Sequence, residues 1–216
     1  LRAVRSLKII EKLVFVSTSE CYGKFQPQNK TLTEEQPFNP RSPYAISKAA
    51  AEFTCCYYAN RFGVPVTIAR SFNHCGPRQN VNFAIPSFAQ QIARIEKRYS
   101  KPIIYVGNLS VKRDLSDVRD IVHGYRLLAE KGKPGRAYHF CSGKAVSIKS
   151  ILNQLLKMSS CEIEIKIDPS RFRKNDIPIM RGDNSRAVKE LGYNSRYHLR
   201  TTLKDTIDYW RNKVVK

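Results

Sequence analysis

The apolar positions of this chain fall into short continuous runs separated by longer amphipathic stretches. After a helix end at "AVRSLKIIEK", the run "LVFVSTS" (13–19) is β-branched and apolar at successive positions, which predicts a strand buried on both faces. Residues 24–41 are rich in Gln, Asn, Pro and Glu without apolar period and predict a loop. Ser42 can cap and Pro43 can occupy the first helical position, so a helix is expected from there to about Phe62, where Gly63 stops it. "VPVTIARSFN" (64–73) reads as a second buried strand. Two such strands joined by a long helix imply a right-handed parallel crossover and an α/β sheet. Ligands of such sheets sit outside the carboxyl ends of the strands, where "STSE" (17–20) and "SFNHCGPRQ" (71–79) fall.

Further on, "FAIPSFAQQIARIEK", "SDVRDIVHGYRLLAEK" and "SIKSILNQLLKMS" carry helical periodicity, and "PIIYVGN" and "RAYHFCSG" read as short strands. The alternation of "CEIEIKID" predicts a half-exposed strand. An Arg-rich loop, "PSRFRKNDIPIMRGD", follows it, and "TTLKDTIDYWRNKV" predicts a last helix. With no internal repeat and no flexible linker, a second domain is expected to be interleaved with the first.

Composition narrows the class. At 216 residues and 42% hydrophobic the chain suits one globular domain with a small satellite, which excludes a disordered or fibrous protein. No stretch approaches about 20 uninterrupted apolar residues, so no membrane span is expected. Lys8, Glu11 and Lys12 interrupt the N-terminal apolar positions, unlike an export signal, and the expected location is cytoplasmic. Six cysteines without C-x-x-C spacing or a suitably spaced histidine argue against zinc and for free thiols; no metal site is expected. The 38 Lys and Arg against 18 Asp and Glu give a net +20, which favours anionic partners: nucleic acid, an acidic membrane face or phosphorylated small molecules. The charges are spread along the chain, as a solvated basic surface would also have them, and no nucleic-acid motif accompanies them.

The candidate chemistry centres on Tyr44 and Lys48. Four residues apart on a helix, they share a face, and an ammonium near a phenol lowers its pKa by favouring the phenolate. Y-x-x-x-K also arises by chance on amphipathic helices. Its weight comes from the preceding strand end, where Ser17, Thr18 and Ser19 supply hydroxyls and Glu20 a carboxylate. Loop capping by the hydroxyls and a solvated Glu20 are the alternatives.

Five segments in order, "VSTSECYG", "SPYAISK", "RSFNHCGPRQ", "RDLSDVRDIV" and "FRKNDIPIMRGDNSRAVKELGY", resemble the extended short-chain dehydrogenase/reductase family over almost the whole chain. The resemblance is to its GDP-mannose 4,6-dehydratase and GDP-4-dehydro-6-deoxymannose reductase branch. It implies the C-terminal part of a Rossmann-type parallel sheet, over 1–75 and 110–135, with an interleaved smaller α/β substrate-binding domain over 76–109 and 136–216. It implies Tyr44 as catalytic tyrosine, Lys48 as its partner that also bonds the nicotinamide ribose, and Thr18 on the reacting sugar oxygen. Glu20 would align with the dehydratase base for sugar carbon 5. Ser17 and His74 would meet the cofactor, NADP or NAD. Ser19, Asn73, Arg113, Arg173 and, more weakly, Arg171 would hold a GDP-sugar, the arginines by bidentate contact with the diphosphate. Asn73 and His74 could instead satisfy backbone groups at the strand end, and Asp117 is expected to cap the next helix. A homo-oligomer is implied for the full-length protein, with no membrane or nucleic-acid partner.

The family's strand and G-x-x-G-x-x-G turn, which holds the cofactor pyrophosphate, is absent: the ten glycines nowhere make that spacing. The expectation is therefore that roughly the first third of the enzyme is not in this sequence, which would leave strand 13–19 with an unpaired edge. The helix "F-x-x-x-F-x-x-Q-I-x-x-I-E" and "DPSRFRKNDIP" lean towards reduction of a GDP-4-keto-6-deoxy sugar. The 4,6-dehydratase is the close rival. A catalytically silent fragment and a basic nucleic-acid-binding module are the readings from other classes.

Overall fold

The computed structural model describes residues 1–7, 9–24, 31–172 and 176–214. The first half runs α1 (Arg2–Leu7), β1 (Leu13–Thr18), α2 (Pro43–Phe62), β2 (Val66–Ser71), β3 (Asn73–Cys75), α3 (Ala84–Glu96) and β4 (Ile103–Val106). It continues through β5 (Lys112–Asp117), α4 (Val118–Lys131), β6 (Ala137–Phe140), β7 (Ala145–Ser147) and α5 (Ile148–Leu156). The chain closes with β8 (Glu164–Ile167), β9 (Ile179–Met180), α6 (Ser185–Leu191) and α7 (Leu199–Lys213). Helix α2 forms for the reasons the sequence suggests. The Ser42 side chain accepts from the Ala45 N–H, Pro43 opens the first turn, and Gly63 ends the helix in the left-handed region at φ 65°.

Three parallel strands, ordered β1-β2-β6, form the sheet behind the site, with Leu13 opposite Val66, Thr18 opposite Ser71 and Ile68 opposite Ala137. Strand β2, in the middle, is buried at every position, whereas β1 is paired on one side only among the described residues and is largely half-exposed. Leu13 and Phe15 pack beneath α2 with Val66, and Val14 packs with Ala69 against the cluster of α4. Side chains alternate along a strand, so Ser17 turns to the α2 face and Thr18 to the α4 face.

The sequence division places 136–216 in the second lobe, but β6 hydrogen-bonds to β2, and all four of its residues are buried. That fourfold burial is what a sheet covered on both faces requires. Conversely, β5, assigned with 110–135 to the first lobe, pairs in parallel with β3 and β9 and antiparallel to β7 in a second sheet. A third pair, β4 with β8, stands apart. There "CEIEIKID" is exposed at every strand position rather than at alternate ones. A core of α3, α5, α7 and β4 residues, including Phe88, Ile92, Ile104, Ile151 and Leu203, holds the second lobe together. No helix among the described residues is long and apolar enough to cross a membrane.

Candidate active site

The carboxyl ends of β1 and β2 and the first turn of α2 meet at one place. Tyr44 lies there with half its surface open, its hydroxyl near the Thr18 side chain. Thr18 also accepts the Glu20 N–H at 3.2 Å, which starts a 3-10 turn, Ser19–Tyr22. Burial pushes the Tyr44 phenol above its ordinary value, the Thr18 hydrogen bond pulls it part of the way back, and the nearby Glu20 charge raises it again. The lowering by lysine expected from the spacing does not operate in this arrangement. Lys48 donates to the Val16 carbonyl at 2.9 Å, and its ammonium is 6.0 Å from the Tyr44 ring centroid. A phenol so held stays protonated at neutral pH, the form a proton donor needs.

On the same face of the sheet as Thr18, its register partner Ser71 shares a 2.7 Å hydrogen bond with the Tyr125 hydroxyl of α4. The sequence reading passed over both residues. The signal was present in the position of Ser71 at a buried strand's end, two residues before Asn73.

Two hydroxyls expected at ligands face inward instead. Ser17 is buried and donates to the Glu52 carboxylate at 2.5 Å, because its place in the alternation directs it under α2. Ser19 is buried in the 3-10 turn with its hydroxyl 3.3 Å from the Met180 sulfur. Neither side chain is presented to the open end of the strands. His74, half-buried on β3, holds the Phe72 carbonyl through Nδ1 at 2.9 Å, while Asn73 beside it is exposed.

Next to Asn73 opens a cavity of about 390 Å³ whose walls include Gln79, Phe83, Tyr105, Arg113, Arg171 and Asp176. The N-terminus of α3 forms part of this wall, and its cap residue, Phe83, offers no side-chain acceptor. Free N–H groups at a helix start suit a phosphate. Arg113 reaches the cavity but is engaged within the protein, with the Asp176 carboxylate at 2.6 Å and the Ile177 carbonyl at 2.6 Å. Arg171 pairs with Asp168 at 3.2 Å. Gly107 lies so close to Arg171 that a Cβ would stand 2.8 Å from its carbonyl oxygen. Arg173 lies outside the described residues. Asp117 caps α4 through the Arg119 N–H at 2.8 Å, and also accepts the Thr202 hydroxyl at 2.7 Å.

Thr18 and Tyr44 hydroxyls with the Lys48 ammonium form a donor set suited to the ribose and carboxamide of a nicotinamide nucleotide. Lys48 spends one of three donors on Val16, leaving two for a ribose. These residues fit that end of the cofactor; the sequence holds no glycine-rich turn for the pyrophosphate.

The model of the family described as GDP-mannose 4,6 dehydratase matches residues 1–206. GDP-6-deoxy-D-mannose reductase of Pseudomonas aeruginosa is 32% identical over 214 residues, covering 99% of this chain and 70% of that protein. GDP-mannose 4,6-dehydratase of Sinorhizobium fredii is 28% identical over 216 residues, covering 89% of this chain and 60% of that protein. Among solved structures, RMD from Pseudomonas aeruginosa complexed with NADPH superposes with a TM-score of 0.92 at 30% identity, over 99% of this chain and 71% of that one. A UDP-N-acetylglucosamine 4-epimerase from Methanobrevibacter ruminantium superposes with a TM-score of 0.84 at 26% identity, over 99% of this chain and 66% of that one.

Proposed function

The chain belongs to the GDP-mannose 4,6 dehydratase family, and on that premise we propose that its site reduces a GDP-linked 4-keto-6-deoxy sugar with NADPH or NADH. The observation that carries this reading is the placing of the Tyr44 phenol near Thr18 at the strand ends, beside a cavity with the character of an anion site. Tyr44 delivers its proton to the oxygen at carbon 4. Thr18 holds that oxygen, and Lys48 steadies the cofactor ribose. When bound, the reduced nicotinamide supplies the hydride. The diphosphate lies at the open N-terminus of α3 with Arg113 and Arg171, and Asn73 bridges from the cavity to the reacting sugar. The relatives named above support a GDP-sugar, and the NADPH complex of one supports the cofactor class.

The test is to supply the complete gene product with GDP-4-keto-6-deoxymannose and NADPH, and separately with GDP-mannose alone. Loss of NADPH absorbance in the first and no conversion in the second is expected. A 4-keto product from GDP-mannose without added reductant would sink the reductase reading in favour of the 4,6-dehydratase. One observation favours that second reading: Glu20 is close enough to Tyr44 for its charge to act on the phenol, a place from which a carboxylate could take the carbon 5 proton. The homo-oligomer is proposed to use the exposed apolar stripe Ile46, Phe53 and Tyr57 of α2. Sedimentation of a protein charged at these three positions tests it, and an unchanged mass would refute it.

A further inference from the structure

Tyr44 and Lys48 have a third companion one turn further along α2. Residues four apart stack on one helical face, so positions 44, 48 and 52 form a single row. Glu52 is only 1% exposed. Its carboxylate accepts the Ser17 hydroxyl at 2.5 Å and, from Arg70, Nε at 2.8 Å and Nη2 at 2.6 Å. Arg70 is itself 9% exposed, and its Nη1 donates to the Tyr22 hydroxyl at 2.6 Å and the Glu34 carbonyl at 2.7 Å. The Tyr22 hydroxyl shares a further 2.6 Å hydrogen bond with His139 Nε2. Burial holds that imidazole neutral, with a pKa lowered to about 3.

One carboxylate and one guanidinium thus join every element that carries a reacting group. Ser17 belongs to β1, beside Thr18; Tyr22 closes the turn that carries Glu20; Glu52 lies on the helix of Tyr44 and Lys48; Arg70 precedes Ser71 on β2. As a stabiliser a buried ion pair is poor, because desolvation consumes much of its attraction. What it offers over apolar packing is direction: Arg70 Nε and Nη2 converge on Glu52 Oε1 while Ser17 holds Oε2, so each oxygen has its own fixed donors, whereas packed methyl groups tolerate sliding.

We propose that the Glu52–Arg70 pair is a positioning device that fixes α2 against the end of β1 and thereby holds the Tyr44 phenol against Thr18. The inference rests on the reading of Tyr44 as the proton donor. Ser17 is the direct link, because it and Thr18 are adjacent and face opposite sides of the strand: where Ser17 docks on Glu52 determines where Thr18 emerges. The Lys48 bond to the Val16 carbonyl, at 2.9 Å, ties the same helix to the same strand one residue away.

The test compares Ser17→Ala, Glu52→Gln, Glu52→Asp and Tyr44→Phe in the intact protein. The Tyr44 phenol is titrated by NMR with ring-labelled tyrosine, the Tyr44→Phe spectrum identifying its signal, beside steady-state kinetics and thermal unfolding. Ser17→Ala and Glu52→Gln are expected to shift the phenol midpoint, because both the burial that raises it and the Thr18 contact that lowers it depend on where α2 sits. They should also reduce kcat about 10- to 100-fold with KM little changed, the range expected of a misplacement on the ångström scale. Glu52→Asp should recover the unfolding temperature lost in Glu52→Gln while kcat stays low, since it keeps the charge and shortens the reach. If Glu52→Gln fails to fold, Ser17→Ala decides, because it leaves the ion pair in place. Variants that unfold earlier but keep the wild-type phenol midpoint and kcat would overturn the proposal. Retained turnover in Tyr44→Phe would refute the proton-donor reading instead, with the midpoint shift in Ser17→Ala still scoring the positioning.

Discussion

Asp114 of β5 is fully buried, and among the described residues its carboxylate is met by hydrogen bonds rather than an ion pair. One oxygen accepts the Ser142 N–H at 2.8 Å and its hydroxyl at 2.7 Å; the other accepts the Gly143 N–H at 3.0 Å and the Gly182 N–H at 3.2 Å. Asp114→Ala leaves three backbone donors without an acceptor. At about 1–3 kcal/mol for each buried unpaired group, and with water recovering part, the loss should be about 3–6 kcal/mol. Asp114→Asn keeps an oxygen for the two glycines and turns its amide N–H₂ towards Ser142. The hydroxyl can rotate to accept and only the Ser142 N–H is orphaned, a loss of about 1–3 kcal/mol. Burial raises the Asp114 pKa, and the four hydrogen bonds reverse only part of this. A folded-state pKa above the unfolded one means that the carboxyl's contribution is full below the ordinary carboxylate range and is lost as pH rises through the raised value. The wild-type advantage over Asp114→Asn should therefore narrow across that window. Urea unfolding followed by far-ultraviolet circular dichroism, at several pH values, measures all three terms. An alanine variant no worse than the asparagine one would refute the accounting, as would a difference that widens with pH.

Tyr44→Phe should lose about 10²- to 10⁴-fold in kcat with a nearly unchanged KM for the sugar nucleotide, the usual value of a positioned proton donor, as read by initial rates. Gly107→Ala places a Cβ 2.8 Å from the Arg171 carbonyl oxygen, so the cavity wall must shift; KM should rise while kcat holds, and an unchanged KM would place the ligand elsewhere. Glu96 is held below the ordinary carboxylate range chiefly by hydrogen bonds from Arg211, whose Nε and Nη2 both lie at 2.8 Å. A depressed folded pKa adds stability that is present above the unfolded value and lost as pH falls through the folded one. Glu96→Gln should thus flatten the acid limb of the stability curve by about 1 kcal/mol, a discounted figure because Arg211 is partly exposed.

The β1–α2–β2 part of the first sheet was legible because hydrophobicity builds it. Strands β1, β2 and β6 are apolar runs, and α2 carries its own cap, first-turn proline and terminating glycine. The second sheet was not, and β5 shows why. In "KRDLSD" the fully inward positions are Asp114, Ser116 and Asp117, whereas Leu115 is only half-buried. Hydrogen bonds from Ser142, Gly143, Gly182 and Thr202 offset the burial of Asp114 and Asp117, the Ser116 hydroxyl is buried without a partner, and no apolar period survives to be read. Strands of two or three residues, such as β9 and β7, exist only through their neighbours. The sheet assignment of 137–140 likewise depended on a pairing that no local pattern encodes.

At the site, residue types were legible and their internal partners were not. "STSE" suggested three hydroxyls facing ligands, yet strand alternation sends Ser17 to Glu52, the turn sends Ser19 to Met180, and only Thr18 lies near Tyr44. Lys48 is on a carbonyl, Arg113 on Asp176 and Arg171 on Asp168. Binding at the proposed site would consequently be an exchange of partners. A diphosphate drawn to Arg113 must compete with a carboxylate already 2.6 Å away, so its net gain is the difference between two charge-assisted contacts rather than the full strength of one. The uncapped start of α3 carries no such competitor: Pro86 has no N–H, and the Ala84 and Ile85 N–H groups can meet a phosphate without first giving up a side-chain bond. Affinity for the nucleotide should therefore come more from the helix start than from the arginines, whose exchange of Asp176 and Asp168 for phosphate instead confers selectivity for a ligand of high negative charge.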